Sequence, residues 1–295
     1  MTPSLQAKVK AIHNIVVKTL NNHNHTDHYL TEVPSSEVLT LGIYACLENS
    51  GNYSKTLKQF REYIIFNQIL EKSRFGRRLA RVIDFVPFVI DLVQKQSRAV
   101  ILNTPDLTTQ RNTFVVDTKP IPICENIRIY RCRLAGNHWS KVDKDYRGFT
   151  ASKRQYYYGF KLNLLIDCLG IPKEYSLHPA SIGDLQTFYH LNLDLPSNSE
   201  ILADKIYNCL DVEECLKLQQ ISLTPIRKKN MKQNRNYQEQ LRVRMFRKPV
   251  ETSLSMYCEL VPRLRAVSIN GCAIKAHLSV LAFTFFQAFR VGVLG

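Results

Sequence analysis

Three carboxylates in this chain stand where they could do chemistry together. Asp117 closes the run Thr113-Phe114-Val115-Val116-Asp117-Thr118, and Asp204 closes Glu200-Ile201-Leu202-Ala203-Asp204-Lys205. Both runs are short and apolar, the pattern of a strand buried on both faces. A carboxylate ending such a strand is costly to bury unless it is paired or binds a cation. Glu251 follows a basic stretch at 242–248 and opens a helical pattern that is apolar at Leu254, Tyr257, Leu260 and Val261. Three acids on separate elements, ringed by Lys and Arg, are what two Mg²⁺ ions acting on a polynucleotide would need. Each acid also has a plainer use. Asp117 could cap a turn with Thr118, Asp204 could pair with Lys205, and Glu251 could sit at a helix N-terminus where the dipole favours it.

The elements that would position these acids must come from a chain of 295 residues, 45% of them hydrophobic. That is enough for one large domain or two ordinary ones with packed cores. Lys and Arg number 40 against 25 Asp and Glu, for a formal charge of +15. The first hundred residues hold 13 basic and 8 acidic side chains, so the excess is spread along the chain rather than held in a tail. A folded chain this basic favours nucleic acid over an acidic membrane surface. The 8 cysteines include no pair at zinc-knuckle spacing. With no apolar leader at the N-terminus, they read as reduced thiols of a cytoplasmic protein. The most apolar segment, 278–294, is broken by Gln287 and Arg290 and reads as a buried terminal helix rather than a membrane span.

Residues 1–100 read as an all-α domain. Val9, Ile12, Val16 and Leu20 mark a first helix, and Ser35 or Ser36 should cap a second running to about Cys46. Ser54 can cap a third, after a break at Gly51-Asn52. A fourth starts at Ser73, with apolar Phe75, Leu79, Val82, Ile83 and Val86 on one stripe and Arg74, Arg77, Arg78 and Arg81 on another, until Pro87 kinks or ends it. No acid lies within that arginine stripe, which favours phosphate contact over a solvated face. His23, His25 and His28 read as part of a polar loop, since no further ligand completes a metal site.

From 101 the pattern changes to strands at 113–118, 156–167, 171–178, 201–204 and 221–226, with helices at 184–193 and 211–219. Residues 156–167 alternate as a half-exposed strand would, and 139–147 read as loop. Three strands joined by tight turns, followed by alternation with helices, predict an α/β fold with a mixed five-stranded sheet flanked by helices. The segment 227–248 carries nine basic residues, including Arg227, Lys228, Lys229, Arg244 and Arg247, and one acid. It would deliver that charge beside Glu251.

These pieces, in this order, resemble a DDE transposase of a bacterial insertion sequence, and within that group insertion-sequence family 982. The resemblance rests on Ser36-Glu37-Val38-Leu39-Thr40, Gly51-Asn52-Tyr53 and Ser73-Arg74-Phe75 in the helical front. It continues with Val116-Asp117-Thr118, Arg128-Ile129-Tyr130-Arg131-Cys132, Tyr158-Gly159-Phe160-Lys161 and Ala203-Asp204-Lys205. It ends with Ile226-Arg227-Lys228-Lys229-Asn230 and Val250-Glu251-Thr252. The resemblance implies an RNase H-like catalytic domain over 108–295 behind a DNA-binding helical domain. It implies Asp117, Asp204 and Glu251 as the catalytic, metal-holding triad, with two Mg²⁺ ions and Mn²⁺ as a substitute. Arg247 matches the arginine of the broader group's Tyr-Arg-Glu-Lys signature, while Arg244 and Cys258 stand at its Tyr and Lys positions. Lys161, Lys205 and Arg247 are expected on the phosphates, with Arg74, Arg77, Arg78, Arg81, Arg227, Lys228, Lys229 and Arg244 as further DNA contacts. The partners implied are double-stranded DNA, as element terminal repeats and target, and further copies of the chain, in the bacterial cytoplasm at the nucleoid. An RNase H-like nuclease without strand transfer and a binding-only repressor of element ends are the competing readings.

Overall fold

Thr113–Glu125 forms β1, the strand on which the sheet of the computed structural model is built. The structure describes residues 3–63, 65–125, 134, 144–227, 237–260 and 264–294. Arg147–Thr150 forms β2, Gln155–Ile166 β3, Pro172–Pro179 β4, Ser199–Ala203 β5 and Ile221–Pro225 β6. β3 lies antiparallel to β1 and β5 lies parallel to it, with β6 beyond β5. β4 and the short β2 pair with successive lengths of β3. The main order is thus β4-β3-β1-β5-β6, three antiparallel strands followed by two parallel ones. This is the mixed five-stranded sheet expected, with β2 as a sixth strand that the polar sequence around it concealed.

β1 is more than twice as long as its apolar run. It continues through Pro120 and Pro122, still paired with β3. Proline cannot donate to a ladder and is tolerated where one side of a strand has no partner. β5 pairs only with Thr113, Phe114 and Val115, so the prolines lie beyond its reach. The ladder shifts register between Pro122 and Cys124, opposite Gly159. A Cβ on Gly159 would lie 2.2 Å from the Ile121 carbonyl oxygen, so only glycine admits this close approach.

β3 is not half-exposed. Lying between β1 and β4, it buries both faces from Tyr157 onward except at Lys161. Its odd-numbered polar residues are satisfied internally: Asn163 donates to Thr187 Oγ1 at 3.2 Å and lies 3.4 Å from the Tyr207 hydroxyl. Sequence alternation therefore marked two different covers, not core against solvent. One cover is α6 (Asp184–Phe188) and α7 (Leu210–Leu218), whose Phe188, Val212 and Leu216 pack on Phe114, Val116, Leu165, Ile201 and Ala203. α8 spans Tyr237–Leu260 without a break, so Glu251 lies well inside a helix rather than at its start.

The remaining helices are α1 (Pro3–Asn22), α2 (Ser35–Asn49), α3 (Tyr53–Tyr63), α4 (Lys72–Val82), α5 (Val86–Asn103) and α9 (Ile269–Arg290). Contacts divide the chain into two units, Met1–Ser97 with Tyr257–Gly295, and Arg98–Met256. In that division residues 257–295 group with the helices of the first unit. Inside it, α2 and α4 meet α9 at Gly42, where an added Cβ would lie 2.9 Å from Leu79 Cδ1 and 3.3 Å from Leu278. α9 is long and apolar enough to cross a membrane by composition, yet most of it is buried in this unit. Lys275 fixes its position, donating to the carbonyls of Gly51, at 2.9 Å, and of Arg265.

The expected apolar stripes are buried: Val9, Ile12, Val16 and Leu20 on α1, Phe75, Leu79 and Val82 on α4. The caps differ. Asn52 Oδ1, not Ser54, accepts from the Lys55 N–H at the start of α3. Asp27 caps α2 from outside, accepting from Ser35 N at 2.8 Å and Ser35 Oγ at 2.6 Å. Pro87 does not end α4. It sits in the first turn of α5, where its missing N–H costs nothing, after a single 3₁₀ turn at Ile83–Phe85.

Candidate active site

The β1–β5 register positions the first two acids. Thr113 faces Glu200, Phe114 faces Ile201 and Val115 faces Leu202. Two further steps of that register set Asp117 against Asp204. Neighbouring strands lie about 4.8 Å apart, so the two backbones are adjacent. Side chains alternate between the faces of a sheet. Phe114 and Val116 of β1, with Ile201 and Ala203 of β5, belong to the cluster under α6 and α7. Asp117 and Asp204 therefore share the opposite face, and both are half-buried. Asp117 Oδ1 accepts from the Thr118 N–H at 2.9 Å, a bond that fixes its side chain. Asp204 leaves β5 in an extended conformation (φ −76°, ψ 171°), and its carbonyl accepts from Tyr207 in the 3₁₀ turn Lys205–Tyr207.

Glu251 belongs to α8, and its side chain lies outside the described residues. Among the described residues, an ion pair links α8 to the face that carries the two aspartates. Arg242, nine residues before Glu251, binds Glu200, which shares the face of Asp204 four residues along β5. Nothing in the sequence marks this pair, because its partners are 42 positions apart and Arg242 looks like one cation among many.

The expected DNA-contacting cations separate into two groups. Some are committed inside the protein. Lys161 is odd-numbered on β3, so it lies on the face away from Asp117. Its ammonium reaches Asp184 and the Ile182 carbonyl, each at 2.6 Å. Arg227 is buried in a fork-to-fork pair with Glu213, at 2.6 and 2.5 Å, with Asn208 Oδ1 at 3.1 Å. Arg78 pairs with Asp27 at 2.9 Å, so the arginine stripe has an acid partner, supplied from another element. Others point outward: Arg74, Arg77 and Arg81 on α4, Lys205 after Asp204, and Arg244 on α8 are exposed. Lys228 and Lys229 fall outside the described residues, as does the side chain of Arg247. The histidines of the first loop behave as loop residues. His23 and His25 pack on the rings of Phe85 and Phe88.

A family model described as the transposase DDE domain matches residues 108–261, just over half of the chain. The chain belongs to the DDE-domain transposases. Its matched segment begins at the boundary expected for the catalytic domain and takes in all three acids. Among solved structures, the piggyBac transposase synaptic complex with hairpin DNA is similar over 98% of this chain and 75% of that one. The identity is 9% and the TM-score 0.45. No curated protein sequence matches the chain. DDE domains work with divalent metal ions, and the chemistry of this transposase's donor set fits them. Asp117 and Asp204 offer hard carboxylate oxygens from adjacent backbones on one face, the ligand type such ions prefer.

Proposed function

We propose that this transposase cuts DNA at the terminal repeats of an insertion sequence and joins the freed 3′ ends to target DNA. Asp117, Asp204 and Glu251 would hold two Mg²⁺ ions. The observation that carries the reading is the parallel register that puts Asp117 against Asp204 on one face. The Arg242–Glu200 pair supports the place of Glu251. Nine residues of helix rise about 13 Å, and the four strand residues from Glu200 to Asp204 cover about the same length. A helix running along β5 from that anchor would bring Glu251 level with Asp204.

In this mechanism Asp117 would be a ligand shared by the two ions, and Asp204 and Glu251 would each hold one. When bound, such ions activate the attacking oxygen and stabilise the leaving one in an in-line displacement. In cleavage, a water oxygen bonds to phosphorus as the bond to the 3′ oxygen breaks and that oxygen takes up a proton. In joining, the same 3′-hydroxyl attacks a target phosphate and expels another 3′ oxygen. Lys205, Arg244 and Arg247 would steady the phosphates, and the exposed arginines of α4 would hold flanking duplex. Membership of insertion-sequence family 982, a bacterial source, a cytoplasmic location and action as a homo-oligomer on DNA belong to the same proposal.

The test is strand cleavage and joining on duplexes carrying the inverted repeats that flank the gene. Asp117→Asn, Asp204→Asn and Glu251→Gln should each abolish both reactions while leaving DNA binding near that of the parent chain. Binding lost in all three variants would give the acids a structural role instead.

A further inference from the structure

The hairpin of β2 and β3 carries an exposed aromatic and basic surface that the carboxylate chemistry does not use. Phe149 is 52% exposed and Tyr156 44% exposed, large values for rings in a paired strand. They face each other across the ladder with centroids 4.9 Å apart. The Arg147 guanidinium lies 4.6 Å from the Tyr156 centroid. Lys153 and Arg154 are exposed at the turn, and no acidic residue occurs from Tyr146 to Ile166. Arg154 holds φ +49°, a left-handed conformation that glycine adopts more easily, and its N–H closes the turn on the Ala151 carbonyl at 3.2 Å. The turn thus keeps a cation at a position that disfavours any side chain.

Register fixes which way this surface looks. Asp117 pairs directly with Leu164, and directly paired residues share a face. Counting back along β3 in steps of two reaches Tyr156, so Tyr156, Phe149 and Arg147 share the face of Asp117. Eight strand residues separate Tyr156 from Leu164, about 26 Å along the sheet.

We propose that this hairpin is a stacking platform for unpaired nucleotides of the DNA strand that runs from the carboxylates. An aromatic ring accepts a base only where the base has left its duplex stack, and every base offers a face for it. The three cations follow the backbone of that strand. A duplex would use the cations and leave the rings idle. The inference rests on the DNA-cutting reading of Asp117 and Asp204, yet its test needs no cutting.

The full-length chain is titrated, in EDTA, with two labelled probes. One is a blunt duplex, and the other is the same duplex with a single-stranded tail of about ten nucleotides, within the site sizes of single-strand binders. Phe149→Ala and Tyr156→Ala should each weaken binding of the tailed probe by about fivefold to a hundredfold, the range for losing one stacked base. The blunt duplex should bind as before. Phe149→Trp and Tyr156→Phe, which keep a ring, should restore the preference for the tail. Equal losses on both probes, or no loss on either, would overturn the proposal. So would unchanged DNA binding with lost self-association, which would make the hairpin a protein–protein surface. Cleavage by Asp117→Asn and Asp204→Asn in the parent hairpin, measured separately, reports on the carboxylates.

Discussion

Arg242 of α8 forms an ion pair with Glu200, the second paired residue on the strand that delivers Asp204. Both partners keep some exposure, so the pair adds little to stability, about 0.5 kcal/mol after screening. Its value lies in placing the helix that carries Glu251. Glu200→Gln and Arg242→Gln should each slow strand cleavage severalfold while shifting the melting temperature by only a degree or two. The double variant should be no slower than the slower single one. Cleavage at parental rates in both singles would show that the pair does not place α8.

Arg227 behaves in the opposite way. Removing its charge leaves Glu213 nearly buried without a partner, and breaking such a pair costs about 3–5 kcal/mol. Arg227→Ala should lower the urea midpoint strongly, while the fraction that remains folded binds DNA at close to full affinity. An affinity loss without a stability loss would return Arg227 to the DNA-contacting set.

The arginines of α4 should separate by the same logic. Changing Arg74, Arg77 and Arg81 to Gln should weaken duplex binding and reduce the slope of log K against log salt by about 0.9 for each phosphate left without its cation. Arg78→Gln should instead destabilise the helical unit, because it strips the charge partner from Asp27, the cap of α2. A salt slope unchanged in the triple variant would make the stripe a solvated face.

Acid should weaken the helical unit. Burial holds His277 below its ordinary 6.5, with Asp84 offsetting part of the drop, and burial lowers His13 as well. The unfolded chain therefore takes up these protons first as pH falls through 6.5. Stability is lost from there down to the folded-state values and levels off below them. Melting temperatures from pH 7.5 to 5 should show that loss, and His277→Gln should reduce it. An identical pH profile in the variant would exclude His277 as a source.

The five main strands were legible because each is a compact apolar run bounded by turn residues, and the two aspartates because each ends such a run. β2 was not, since its one buried residue is Gly148, which has no side chain, and its four residues owe their pairing to β3. The extent of β1 was hidden by Pro120 and Pro122, which local propensity reads as breaks and which only the missing neighbour permits. Three of the expected cations have acid partners that the sequence conceals. Lys161, Arg78 and Arg227 look like surface charge in sequence and differ only in having acids brought to them by the fold. Glu251 was legible as an acid on a helix, but not as one lying mid-helix. The run before it is rich in Arg, Gln and Asn, which hide the helical spacing of Val243, buried at 1% exposure.

The central claim is that residues 117, 204 and 251 close on one pair of metal ions. Fe²⁺ loaded in place of Mg²⁺, with ascorbate and peroxide, cuts a protein backbone beside the ions it occupies. The fragments should end near 117, near 204 and near 251, and all three cuts should fade together in Asp117→Asn and under excess Mg²⁺. Cuts near 117 and 204 with none near 251, from a chain that binds DNA and is folded, would contradict the shared site.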